Sequence, residues 1–172
     1  MSGGPCSAGP HLTGLPLRRA AGFTLIEMMI VVAILGVLAL GLVPLGEVAV
    51  QRGKEAELRV ALRQIRAGLD QYKRAADDGR VERKTDESGY PRKLTDLVDG
   101  VPDLKSPDRK PIFFLRRLPR DPFADASLRP EETWGRRSYD SPPDRPAEGK
   151  DVFDVYSRSE QTGLNGVRYR DW

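Results

Sequence analysis

The chain has 172 residues, 39% of them hydrophobic and 31% charged, with a formal net charge of +3. That balance suits one soluble domain with an appended segment and does not supply a polycationic surface. The single cysteine, Cys6, and the single histidine, His11, both fall in the first 22 residues. Beyond that point Ser–His and Cys–His nucleophilic catalysis, a disulfide and a zinc site built from Cys and His are all excluded.

Residues 1–22 are rich in Gly, Pro and Ala, show no periodicity and read as disordered. They carry two basic residues, Arg18 and Arg19, and no acid. Gly22-Phe23-Thr24-Leu25-Ile26-Glu27 follows and leads into residues 28–46, which hold no charged side chain. Nineteen helical residues at ~1.5 Å each come close to a ~30 Å hydrocarbon core, so residues 23–46 are expected to form a transmembrane helix. The arginines before it predict a cytoplasmic N-terminus and an exported remainder. Glu27 is the anomaly, because a carboxylate in an apolar segment costs a few kcal/mol and marks a candidate functional residue.

These residues resemble the class III signal of type IV pilins and pseudopilins, with matches at Gly22, Phe23 and Glu27, and with Pro44 where that family commonly has a late-helix proline. The resemblance implies cleavage by a prepilin peptidase after Gly22, so that residues 1–22 are a leader, followed by N-methylation of Phe23. It also implies a role for Glu27 in assembly. Cleavage would remove Cys6, His11 and two basic charges, leaving 26 basic against 25 acidic residues. An ordinary signal anchor with an interfacial Glu27 is a competing reading. So is a secretory signal cut near Ala39-Leu40-Gly41, although the apolar run continues past that point.

Helical patterning continues over residues 47–78. Leu58, Leu62, Ile65, Leu69, Tyr72 and Ala76 recur at alternating intervals of four and three, which predicts one apolar stripe on an amphipathic helix. Lys54, Glu55, Glu57, Arg59, Arg63, Arg66, Lys73 and Arg74 are placed on the other faces, with Glu55 and Arg59 paired at i,i+4. Pro44 predicts a kink, and Gly79 predicts the helix C-terminus. The stripe suits docking on a globular domain.

The remaining residues, 79–172, are expected to form the exported α/β part. Residues 79–89 read as a mobile, charged connection. Leu94, Leu97 and Val98 mark a short amphipathic helix, and residues 113–123 a segment packed on the long helix. Residues 133–139 and 151–157 read as antiparallel strands, the second alternating. The tail from Val167 to Trp172 is a candidate third strand. The whole is an α+β fold: a long N-terminal helix packed on a small antiparallel sheet.

Tyr72-Lys73, Gly89-Tyr90-Pro91, residues 118–123, Trp134 to Tyr139, residues 154–157 and Asp171-Trp172 resemble, in order, the major pseudopilins of type II secretion systems. That resemblance implies a non-enzymatic filament subunit. Its implied partners are further copies or other pseudopilins, the prepilin peptidase, an inner-membrane assembly platform and membrane lipid. Its implied place is the bacterial inner membrane and then a periplasmic filament. Those pseudopilins hold calcium in the loop after the strand. Here Asp154, Ser157, Glu160 and Asp171 offer oxygens, but Gln161 stands where an aspartate is expected, and Arg158 and Arg168 add positive charge. Calcium wants six to eight oxygens with several carboxylates, so no cofactor is expected, and Leu164, Val167 and Tyr169 are expected to close the loop instead. A minor pilin of a type IV pilus or DNA-uptake machine and a membrane-anchored binding module remain alternatives. Arg116, Arg117, Arg120, Arg136 and Arg137 are interleaved with Asp121, Asp125, Glu131 and Glu132, which argues for solvated surface or subunit contacts and against nucleic acid.

Overall fold

The computed structural model describes residues 22–172, with the side chains of residues 40–45 outside that description. Residues 1–21 of the expected leader, with Cys6 and His11, therefore lie outside the described residues, as do the side chains around Pro44, where a kink is expected. Helix α1 runs Leu25–Asp77, 53 residues. The chain divides into two units, residues up to Val43 and residues from Pro44 onward. In the first unit, Thr24 caps α1: its hydroxyl accepts the Glu27 N–H at 3.2 Å and its carbonyl accepts Met28 N–H at 3.1 Å. The large apolar side chains from Leu25 to Leu38 are exposed. Among the described residues no helix is long and apolar enough to cross a membrane.

In the second unit the predicted stripe is the core. Leu58, Leu62, Ile65, Leu69, Tyr72 and Ala76 are all buried, joined by Ala61 and Ala75 between them. Gly79, at φ +69°, ends the helix in the left-handed region that favours glycine. The N–H groups of Arg80 and Val81 turn back to the Ala75 carbonyl at 2.9 and 3.3 Å. The segment that follows is tied down at its start, where mobility was expected. Val81 is buried, and the Arg80 guanidinium grips Asp103 at 2.6 Å.

Helix α2, Asp96–Asp99, buries Leu97, whose carbonyl accepts the N–H groups of Phe114 and Leu115 at 3.0 and 2.9 Å. That pair places Phe114 against Tyr72 and Leu115 over Gly68 of α1, as the apolar pattern predicts. Strands β1 (Val101–Pro102) and β2 (Pro111–Ile112) form a short antiparallel pair. Strands β3 (Trp134–Arg137) and β4 (Asp154–Ser157) form a second, with Trp134 opposite Ser157 and Arg137 opposite Asp154. The expected single sheet is thus two separate pairs. The expected third strand is also absent: Tyr169–Asp171 is a 3-10 helix. Tyr169 there places a buried ring in the core.

Candidate functional site

The residues expected to serve cleavage and assembly, Gly22, Phe23 and Glu27, lie at the start of the first unit. Gly22, Phe23 and Thr24 are outside regular structure, and α1 starts two residues beyond Phe23. Among the described residues nothing approaches within 4 Å of the position a Gly22 side chain would take, and Phe23 is 72% exposed, so those residues leave the Gly22–Phe23 bond accessible. Glu27 is exposed in the first turn of α1, where a carboxylate interacts favourably with the helix dipole. Leu25, Ile26, Met28, Met29 and Ile30 crowd round it on every face of the helix, all exposed.

The second constellation closes the loop after β4. A bridge joins Thr162 to Arg168, Gly163 N–H donates to Val167 carbonyl at 2.9 Å, and Tyr169 N–H donates to Gln161 carbonyl at 3.1 Å. Gly166, at φ +78°, turns the tip. Glu55 anchors this loop to α1. Its Oε1 accepts Leu164 N–H at 2.7 Å and the Tyr169 hydroxyl at 3.1 Å, while that hydroxyl accepts from Gln51 Nε2 at 2.9 Å. Arg59 reaches the other oxygen at 3.5 Å. Glu55 is 3% exposed, so its expected place on a polar face is wrong although its pairing with Arg59 is right. Burial, assisted by the Glu55 carboxylate and opposed by Gln51, holds the Tyr169 phenol above its ordinary pKa, so it stays a donor.

Sequence reasoning missed Glu55 and Gln51 as site residues, yet the register contained them. They precede Leu58 by three and seven positions and continue the 4,3 alternation of the apolar stripe. Around them Lys54 lies over Phe123, Phe123 stacks on Tyr169 at 4.1 Å between centroids, Tyr169 meets the Trp172 edge at 5.0 Å, and Arg59 covers Trp172 at 4.1 Å. Tyr169 is buried as expected, but Leu164 and Val167 are exposed, so hydrogen bonds and aromatic packing close the loop in place of that aliphatic pair.

Four other acids, Asp154, Asp171, Asp151 and Asp121, have structural partners. Asp154 is held by Arg66 at 2.8 Å and Arg137 at 3.6 Å, and Asp171 by Arg168 at 3.0 Å. Asp151 accepts from Ser138 Oγ and Tyr139 N–H at 2.8 and 2.9 Å. Asp121, expected on solvated surface, is 2% exposed and accepts Phe123 N–H at 2.8 Å. Of the arginines weighed for nucleic acid, Arg136 pairs with Glu148 at 2.5 Å and Arg120 donates to the Asp125 carbonyl at 2.8 Å.

Residues 17–43 match the family described as "Prokaryotic N-terminal methylation motif", a span that contains Gly22, Phe23 and Glu27. The chain is 33% identical over 117 residues to the type II secretion system core protein G of Pseudomonas aeruginosa, covering 63% of this chain and 71% of that one. No solved structure matches. The motif, the identity over most of both chains and a long helix packed with small antiparallel sheets agree: the chain belongs to the type IV pilin-like proteins, in the family of type II secretion core protein G.

Proposed function

We propose that this chain is a structural pseudopilin subunit of a type II secretion system. It is cleaved after Gly22, N-methylated on Phe23 and assembled through α1 into a short periplasmic filament that supports protein export. The observation that carries this is the apolar surface of residues 25–38, exposed round the whole helix directly behind an accessible Gly22–Phe23 bond. Apolar surface is worth about 25 cal/mol per Å² when buried, and lipid first and neighbouring helices later would bury it. Glu27 has a matching reason. A carboxylate carried into a low-dielectric bundle is costly alone and favourable opposite a positive charge, and the free amine of a neighbour's Phe23 supplies one.

On this reading the precursor sits in the inner membrane, with its N-terminus cytoplasmic, residues 23–46 in the bilayer and the residues after 46 on the periplasmic side. It is read by the prepilin peptidase and drawn out by an inner-membrane assembly platform, alone or with other pseudopilins. Its role is structural, not catalytic. The motif at residues 17–43 is equally at home in a minor pilin; the match to core protein G favours secretion. Mass spectrometry of the mature N-terminus tests the proposal. The expected species begins with methylated Phe23, and an intact Met1 terminus in cells with an active prepilin peptidase refutes it.

A further inference from the structure

The pseudopilin reading implies a calcium ion in the loop after β4, and the residues present do not fit one. Asp154 spends its carboxylate on Arg66, Arg137 and the Val155 N–H, and Asp171 on Arg168. Ser157 Oγ accepts Ser159 N–H at 3.1 Å. The Gln161, Gly163 and Val167 carbonyls accept loop N–H groups at 3.1, 2.9 and 2.9 Å, and Val167 takes the Trp172 indole N–H as well. Glu160 and Gln161 point to solvent. Among the described residues no three of His, Cys, Asp and Glu converge to hold a metal. A hard divalent cation needs several free oxygens at once, and here three arginines, Arg66, Arg137 and Arg168, hold carboxylates that are already engaged.

We infer that the buried Glu55 carboxylate, reaching from α1 to Leu164 N–H and Tyr169 O–H, takes the place of the metal ion as the latch of this loop. The chemistry is inverted: where a cation would gather loop oxygens, an anion gathers loop donors. Glu55 lies more than 100 residues from either partner in sequence, so the latch joins the tail of the chain to the long helix. Tyr169 is bonded on both sides, to Glu55 and to Gln51, and cannot leave without exposing three polar groups together. Leu164 and Val167, exposed on the loop, contribute little to holding it.

The inference takes its expectation of calcium from the pseudopilin reading, but its test does not require a filament. Hydrogen exchange is measured on the full chain in detergent, with calcium chloride and with EDTA. The Leu164 amide is expected to be protected equally in both, and the melting temperature to be unchanged. Glu55→Gln keeps the shape, removes the charge and is expected to speed Leu164 exchange about tenfold or more, since charge-assisted bonds are the strong ones. Amides of the β3–β4 ladder should keep their wild-type rates. Protection that EDTA abolishes and calcium restores overturns the latch, as does unchanged Leu164 exchange in Glu55→Gln. Should Glu55→Gln fail to fold, the calcium comparison on the native chain decides alone. A correctly processed Phe23 terminus together with calcium dependence would overturn the latch and leave the pseudopilin reading standing; an unprocessed terminus does the reverse.

Discussion

Gly135 faces Tyr156 across the β3–β4 ladder, and a side chain there would begin 2.3 Å from the tyrosine ring. The ring covers the glycine and carries Arg170 at 5.4 Å on its face. Gly135→Ala is therefore expected to cost about 1–3 kcal/mol by overpacking, measured as a shift in the denaturant midpoint. Tyr156→Ala in the same background should recover part of that loss, since it removes the clashing ring. Gly135 was readable as a strand glycine with a close neighbour, but the neighbour was not, because register between two short strands is set by tertiary packing. Glu55 shows the opposite failure. Its position on the buried stripe was legible from spacing alone, and its charge was allowed to overrule the spacing. A buried carboxylate is tolerable only where donors converge on it, and those donors come from Leu164 and Tyr169, far along the chain.

At the scale of elements, α1 was legible because its period is local and sustained: six apolar positions fix one face, and all six are buried. Strands β3 and β4 were legible from their composition, though each is shorter than expected. β1 and β2 were not, since two-residue strands containing proline carry no alternation to detect. The joint between α1 and this pair depends on charge. Arg80, just past the helix end, bonds Asp103 with both its Nε and a terminal nitrogen, at 3.1 and 2.6 Å. That bond, aided by the Lys105 N–H, holds the Asp103 carboxyl below its ordinary pKa. A depressed pKa in the folded state stabilises above the unfolded value and is lost as pH falls through the folded one. Asp103→Asn should therefore lower the melting temperature at pH 7. The gap from wild type should narrow below about pH 4, the ordinary aspartate range, as the native carboxyl is protonated. A gap that stays constant from pH 7 to pH 2 would show that the ion pair contributes nothing.

For the whole molecule, the first unit carries Gly22, Phe23 and Glu27 of the methylation motif and the exposed apolar helix, and among the described residues the second carries the buried core. Glu27→Ala tests this division. It leaves Gly22, Phe23 and the second unit untouched, so cleavage and the melting temperature should match wild type. Filament yield should fall sharply when the variant is the only copy, scored by shearing or electron microscopy. Normal filaments would remove Glu27 from assembly. The family was legible in the sequence because the motif is contiguous, whereas the loop latch was not, because it is made by residues brought together only by folding.

The aromatic stack beside the latch has an optical consequence. The chain contains two tryptophans. Trp134 is fully buried, its indole N–H bonded to the Pro119 carbonyl at 2.9 Å. Trp172 is half-buried between Arg59, Tyr169 and Gly163 on the loop that Glu55 holds. The molecule thus carries its own fluorescent gauge, with one emitter shielded from acrylamide and the other quenched according to whether the loop is shut.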